Sequence, residues 1–123
     1  MTVSGLHNNK GFTLVEIMIA ISILAIALLG LASVTVVIIK SNTFSKTMTT
    51  ATTLANDKME QLKKTSYAGL ASGTDTLESI YTRTWTVTQN SPATGMNTVV
   101  VTVQWNWQGV ARNVTINSII AQW

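Results

Sequence analysis

The chain has 123 residues, of which 46% are apolar and only 11% charged, against about a quarter charged in an ordinary soluble domain. So low a charge argues against a disordered tail, and the length admits one small domain plus one long element. A net charge of +3 from scattered basic residues makes no nucleic-acid footprint, while the absence of cysteine and a single histidine, His7, outside any recognisable folded segment argue against disulfides, thiolate or zinc sites and a histidine-based triad, so no cofactor is implied.

Residues 17–39 form a run of 23 without a charge, bounded by Glu16 and Lys40. At about 1.5 Å per residue such a helix crosses a hydrocarbon core of about 30 Å. The 83 residues beyond Lys40 cannot surround a helix that is apolar on every side. The run is also longer than the apolar part of a secretory signal peptide, and Ile38-Ile39-Lys40 makes no cleavage site. The segment therefore reads as a membrane anchor, with the lipid bilayer as its first partner.

Beyond the run, Phe44, Met48, Ala51, Ala55, Met59 and Leu62 recur every three or four residues. This spacing predicts an amphipathic continuation of the helix, although threonines at 43, 47, 49, 50, 52 and 53 weaken its intrinsic propensity. Such a helix needs a partner surface. Lys63 and Lys64 suit its negative end, and Ser66, Gly69 and Gly73 read as stop signals. A helix over 13–65 would be roughly 80 Å long. Asp57, Glu60, Asp75 and Glu78 read as a solvated polar face on or just after it. With no histidine beside them they do not suggest an enzyme.

The remainder alternates with period two. In 81–89, Tyr81, Arg83, Trp85 and Val87 share one face, and Thr82, Thr84, Thr86 and Thr88 the other. Residues 90–95 read as a loop. Met96–Trp107 alternates again, and Val110–Ala121 predicts a third strand. Gln108-Gly109 fits a two-residue hairpin turn, which pairs Trp107 with Val110, Trp105 with Arg112, Val103 with Val114 and Val101 with Ile116. The unit 66–123 is marginal by itself, so its apolar face is expected to pack on the helical stripe. Trp85, Trp105, Trp107 and Trp123 all lie in it, and core packing explains them better than a ligand platform. Asn113-Val114-Thr115 fits a glycosylation sequon, against which its strand position argues.

The start of the apolar run carries the most information. Lys10-Gly11-Phe12-Thr13-Leu14-Val15-Glu16 resembles the class III signal of type IV prepilins and type II secretion pseudopilins. The resemblance implies a leader over 1–11, cleaved between Gly11 and Phe12 by a prepilin peptidase that also N-methylates Phe12. It implies a transmembrane helical half over 12–40, an amphipathic half over 41–65, and a small antiparallel sheet domain over 66–123: an α+β, pilin-like fold. It also implies that Glu16 pairs with the α-amino group of Phe12 on a neighbouring subunit. Two of these features have a physical reason in the residues. Gly11 gives a peptidase a bare backbone to approach, and a carboxylate at the edge of an apolar segment requires a partner. A Glu that only reaches headgroup water is the plainer reading.

Within the family, Leu28-Leu29-Gly30-Leu31-Ala32, the stretch 51–62 and the ending with Trp105 and Arg112-Asn113-Val114-Thr115 look like PilV-type minor pilins and GspI-type pseudopilins. Where major pilins carry a helix-breaking proline this chain has Ser33, and the disulfide of many major pilins is impossible here. The expectation is a minor pilin that primes assembly near the fibre tip. Its implied partners are other minor pilins, the major pilin and the assembly platform membrane protein. It would sit in the bacterial inner membrane first and then in a pilus, with the C-terminal domain outside the cytoplasm. A type II secretion minor pseudopilin is the alternative. A bitopic anchor with a ligand-binding ectodomain is a third reading, but it has no need of Gly11 or Glu16.

Overall fold

A computed structural model describes residues 11–122. Residues 1–10 of the leader expected over 1–11, His7 and Lys10 among them, lie outside the described residues, as does Trp123. A helix, α1 (Leu14–Lys64), is followed by a 3₁₀ turn (Tyr67–Gly69) and four strands: β1 (Gly73–Leu77), β2 (Tyr81–Thr88), β3 (Met96–Trp107) and β4 (Val110–Ala121). The chain divides into two compact units, Met1–Lys40 and Ser41–Trp123.

In the first unit the helix is exposed along its length. Its large apolar side chains, Ile17 to Ile39, stand 45% or more accessible, which leaves them for a surrounding apolar solvent. The hydroxyls in this stretch are satisfied within the helix. Ser22 Oγ donates to Met18 O at 2.8 Å, Ser33 Oγ to Leu29 O at 3.0 Å, and Thr35 Oγ1 to Leu31 O at 3.0 Å. A span holding polar groups inside hydrocarbon must do this, since no water is there to pair with them.

In the second unit the helix buries the predicted stripe at its C-terminal end: Ala51, Ala55, Met59 and Leu62 are buried. Phe44 is half-buried and Met48 remains exposed. Two alanines at the contact bring the helix close to the sheet, where Val99, Val101, Val103, Trp105 and Tyr81 complete the core. The threonines that weaken helix propensity donate back to carbonyls one turn earlier, as Thr49 does to Ser45 and Thr53 to Thr49. Phe44 meets Trp107 edge-on at 5.8 Å, and Lys58 Nζ lies 3.6 Å from the Trp85 ring centre.

The sheet is an antiparallel meander in the order β1-β2-β3-β4. The Gln108-Gly109 turn produces the expected register: Trp107↔Val110, Trp105↔Arg112, Val103↔Val114 and Val101↔Ile116. Both turn residues have positive φ, 50° at Gln108 and 78° at Gly109, as a type I′ hairpin requires. A β-branched residue resists that conformation. Gly109→Val is therefore expected to destabilise the domain by about 1–2 kcal/mol, read as a lower thermal midpoint of the detergent-solubilised chain. An unchanged midpoint would contradict the role of the turn.

Two expectations need correction. The first is β1, which the sequence reading missed. Gly73, expected as a stop signal, opens this strand. A Cβ there would lie 2.6 Å from Trp85 Cζ2, so the bare backbone is what lets the indole lie across it. The second is Asp75, which does not belong to a solvated helical face. It sits on β1 opposite Arg83 and takes both Nε (2.9 Å, to Oδ1) and Nη2 of that arginine. Arg83 is only 6% exposed, and its Nη1 donates to Leu54 O on α1 at 3.0 Å. One guanidinium thus ties a helix turn, β1 and β2 together. Asp57, Glu60 and Glu78 are exposed as expected.

The face of the sheet away from the helix carries nine threonines, at 74, 76, 82, 84, 86, 88, 98, 102 and 115, and no charged side chain. Thr74 and Thr84, and Thr102 and Thr115, are hydrogen-bonded across strands at 3.2 and 3.1 Å. A long apolar helix whose second part packs on a small four-stranded antiparallel sheet is the pilin-like α+β arrangement.

Candidate functional site

The helix begins immediately after the short stretch that the motif occupies. Gly11, Phe12 and Thr13 are non-helical, and Leu14 is the first helical residue. Thr13 is the cap. Its Oγ1 accepts from Glu16 N at 3.2 Å, and Glu16 Oε2 approaches Thr13 N at 3.5 Å. This is a capping box, Thr-x-x-Glu, in which each side chain serves a backbone N–H that the first helical turn leaves without a carbonyl. The pattern Thr13-Leu14-Val15-Glu16 is legible in the sequence, yet it is the role the sequence reading did not assign to Glu16. The carboxylate also complements the positive end of the helix.

Glu16 is exposed, as are Phe12 (80%) and Ile17 (45%). Phe12, Glu16, Ile17, Ala20 and Ile21 line one shallow groove on the helix surface. Phe12 and Glu16 therefore share a face, with a carboxylate at the edge of an otherwise apolar depression. Gly11 stands free, with nothing within 4 Å of a Cβ built on it. The geometry leaves the backbone on both sides of the Gly11-Phe12 bond accessible. Whatever partner Glu16 has besides its own helix end must come from outside the chain's described residues.

The sheet domain carries a shallow depression lined by Pro92, Thr98, Asn117, Ser118 and Ile119. None of these side chains is ionisable. Among the described residues no group of three or more His, Asp or Glu could hold a metal ion. Trp105 is buried and Trp85 and Trp107 are half-buried against the same core, so these indoles pack the helix to the sheet.

Residues 6–32 match a family model described as the prokaryotic N-terminal methylation motif. Neither the curated proteins nor the solved structures give a match to this chain. The matched stretch contains Gly11, Phe12 and Glu16 and the apolar run as far as Ala32. Motif and fold together support a type IV pilin-like family. The motif implies processing by a prepilin peptidase, and the apolar helix behind it supports a membrane-anchored state before assembly.

Proposed function

We propose that the chain is a minor pilin of a type IV pilus, cleaved between Gly11 and Phe12, N-methylated on Phe12 and joined to its neighbours through Glu16. Residues 1–11 are the leader, 12–40 the membrane half of the helix, 41–65 its amphipathic half and 66–123 the domain outside the cytoplasm. What carries this reading is the coincidence of features within one short stretch. A methylation motif runs directly into an exposed apolar helix, and the one carboxylate at that helix start shares a groove with Phe12. The absence of a proline at Ser33 and of any cysteine favours a minor over a major subunit. Its partners are the other minor pilins, the major pilin and the assembly platform protein. A type II secretion pseudopilin shares the peptidase and the anchor, and the segments 28–32 and 51–62 resemble both kinds. Adjacent pilus or secretion genes separate the two.

Mass spectrometry of the membrane-extracted protein tests the processing step. The expected amino terminus is methylated Phe12. Gly11→Val should block cleavage, since a branched side chain stands where a peptidase must approach the backbone. A mature terminus at another residue, or normal cleavage of Gly11→Val, would overturn the assignment.

A further inference from the structure

The meander ends on β4, whose outer side has no neighbouring strand among the described residues. The Trp107↔Val110 pair flanks a two-residue turn, and the pair flanking such a turn is hydrogen-bonded to each other. Alternation from there directs the backbone groups of the even-numbered residues of β4 toward β3. Those of the odd-numbered residues, Ala111 to Ala121, point to the open edge. Native sheets guard such an edge by shortness, lysine, proline or a bulge. β4 is 12 residues long, contains neither lysine nor proline, and pairs with β3 without interruption. Its one charge, Arg112, lies over the Phe44 ring. Two large apolar side chains on it are more than half exposed, Val110 at 51% and Ile119 at 54%.

We propose that β4 pairs antiparallel with β4 of a second copy of this chain, in the register that places Thr115 on the two-fold axis. The observation behind this is that β4 reads nearly the same in both directions about Thr115. Val114 then meets Ile116 of the second copy, Asn113 meets Asn117, and Arg112 meets Ser118. Ala111 and Val110 meet Ile119 and Ile120. Apolar residues face apolar ones, amide faces amide, and threonine faces threonine, each a favourable cross-strand pair. The two arginines are kept about 20 Å apart along the strand. Thr115 is among the residues whose backbone points outward, so the ladder closes on both sides. A two-fold at Asn113 sets Arg112 against Val114, and one at Asn117 sets Ile116 against Ser118. A two-fold at Val114 sets Arg112 against Ile116, and one at Ile116 sets Val114 against Ser118. An axis between two residues turns the wrong backbone groups toward each other. An isologous contact needs a surface complementary to itself, and this strand is one. The two-fold keeps both helices on one face of an eight-stranded sheet and reverses one relative to the other. The contact therefore suits copies that meet from opposite directions, not neighbours inserted side by side in the same orientation. It does not depend on the pilus reading.

The test uses the full chain in detergent micelles. Sedimentation should show a concentration-dependent dimer. Thr115→Lys, which sets two like charges opposite each other on the axis, should weaken it at least about tenfold. The chain has no cysteine, so Thr115→Cys reports the register directly. Cα atoms of a hydrogen-bonded antiparallel pair stand about 5.5 Å apart, within disulfide reach. Mild oxidation should trap that variant as a covalent dimer. Asn113→Cys alone should not be trapped, because its two copies lie about 14 Å apart; mixed with Asn117→Cys it should be. A monomeric wild type at every soluble concentration would overturn the proposal. So would a dimer indifferent to Thr115→Lys, which would place the contact in the anchors. Equal trapping of Asn113→Cys and Thr115→Cys would overturn the register.

Discussion

Asp75→Ala should lower the stability of the sheet domain by about 3 kcal/mol, because it leaves the Arg83 guanidinium buried without its anion. Breaking a buried pair costs about 3–5 kcal/mol, and the low end applies because the Asp75 side chain is 34% exposed and water already reaches it. Against a total of about 5–15 kcal/mol this is a large share, and the thermal midpoint of the detergent-solubilised chain should fall by more than about ten degrees. The double variant Asp75→Ala, Arg83→Met should recover much of the loss, since removing both charges removes the uncompensated one. Leu54 O, which Arg83 Nη1 reaches, is a mid-helix carbonyl and retains its helical hydrogen bond. If the double variant is no more stable than Asp75→Ala, the charge pair is not what Asp75 contributes.

That pair also explains why β1 escapes a reading by pattern. Alternation is visible where the inward positions are apolar, as in Met96–Trp107, whose valines at 99, 101 and 103 are all buried. In Gly73-Thr74-Asp75-Thr76-Leu77 the inward positions are a glycine, an aspartate and a leucine. The glycine is there because an indole covers it, and the aspartate because an arginine on the next strand neutralises it. Both reasons lie on another strand and leave no mark on the local hydropathy. Hairpin β3–β4 is the opposite case: turn chemistry and side-chain pattern are both local and agree, so its register was legible. At the candidate site, Gly11, Phe12 and Glu16 are singled out by the resemblance to the prepilin signal, while the capping box is legible once Thr13 is read with Glu16. The intersubunit partner proposed for Glu16 rests on the resemblance, since a single chain cannot display a contact with another molecule.

Glu16→Ala and Glu16→Gln are expected to differ in the isolated chain and to agree in the fibre. Glutamine at this position can keep the capping box with Thr13, whereas alanine loses it. Loss of a cap costs about 1 kcal/mol at the helix start. In either variant the positive amino terminus at Phe12 would enter a bundle of apolar helices without a carboxylate, at a cost of several kcal/mol. Both variants should be cleaved and inserted, since the uncharged run is unchanged, and both should accumulate in the membrane. Fractionation between membrane and sheared fibres, with fibres counted by microscopy, measures this. Recovery of Glu16→Gln in fibres at the wild-type level, with Glu16→Ala depleted, would assign Glu16 to capping alone and remove the pairing with Phe12. Wild-type recovery of both would return Glu16 to a side chain that merely reaches the headgroups.

The threonine face of the sheet has a kinetic consequence. The charges of the strands, Asp75, Arg83 and Arg112, all sit on the helix side, so the opposite face exerts little long-range field of its own. A molecule approaching it is neither drawn in nor turned away until hydroxyls and amides touch. Encounters through this face are therefore unsteered, with rates near those of neutral protein pairs and only weakly dependent on ionic strength. What selects among them is the match of hydrogen bonds and shape at contact, expressed in how long a complex lasts and not in how fast it forms.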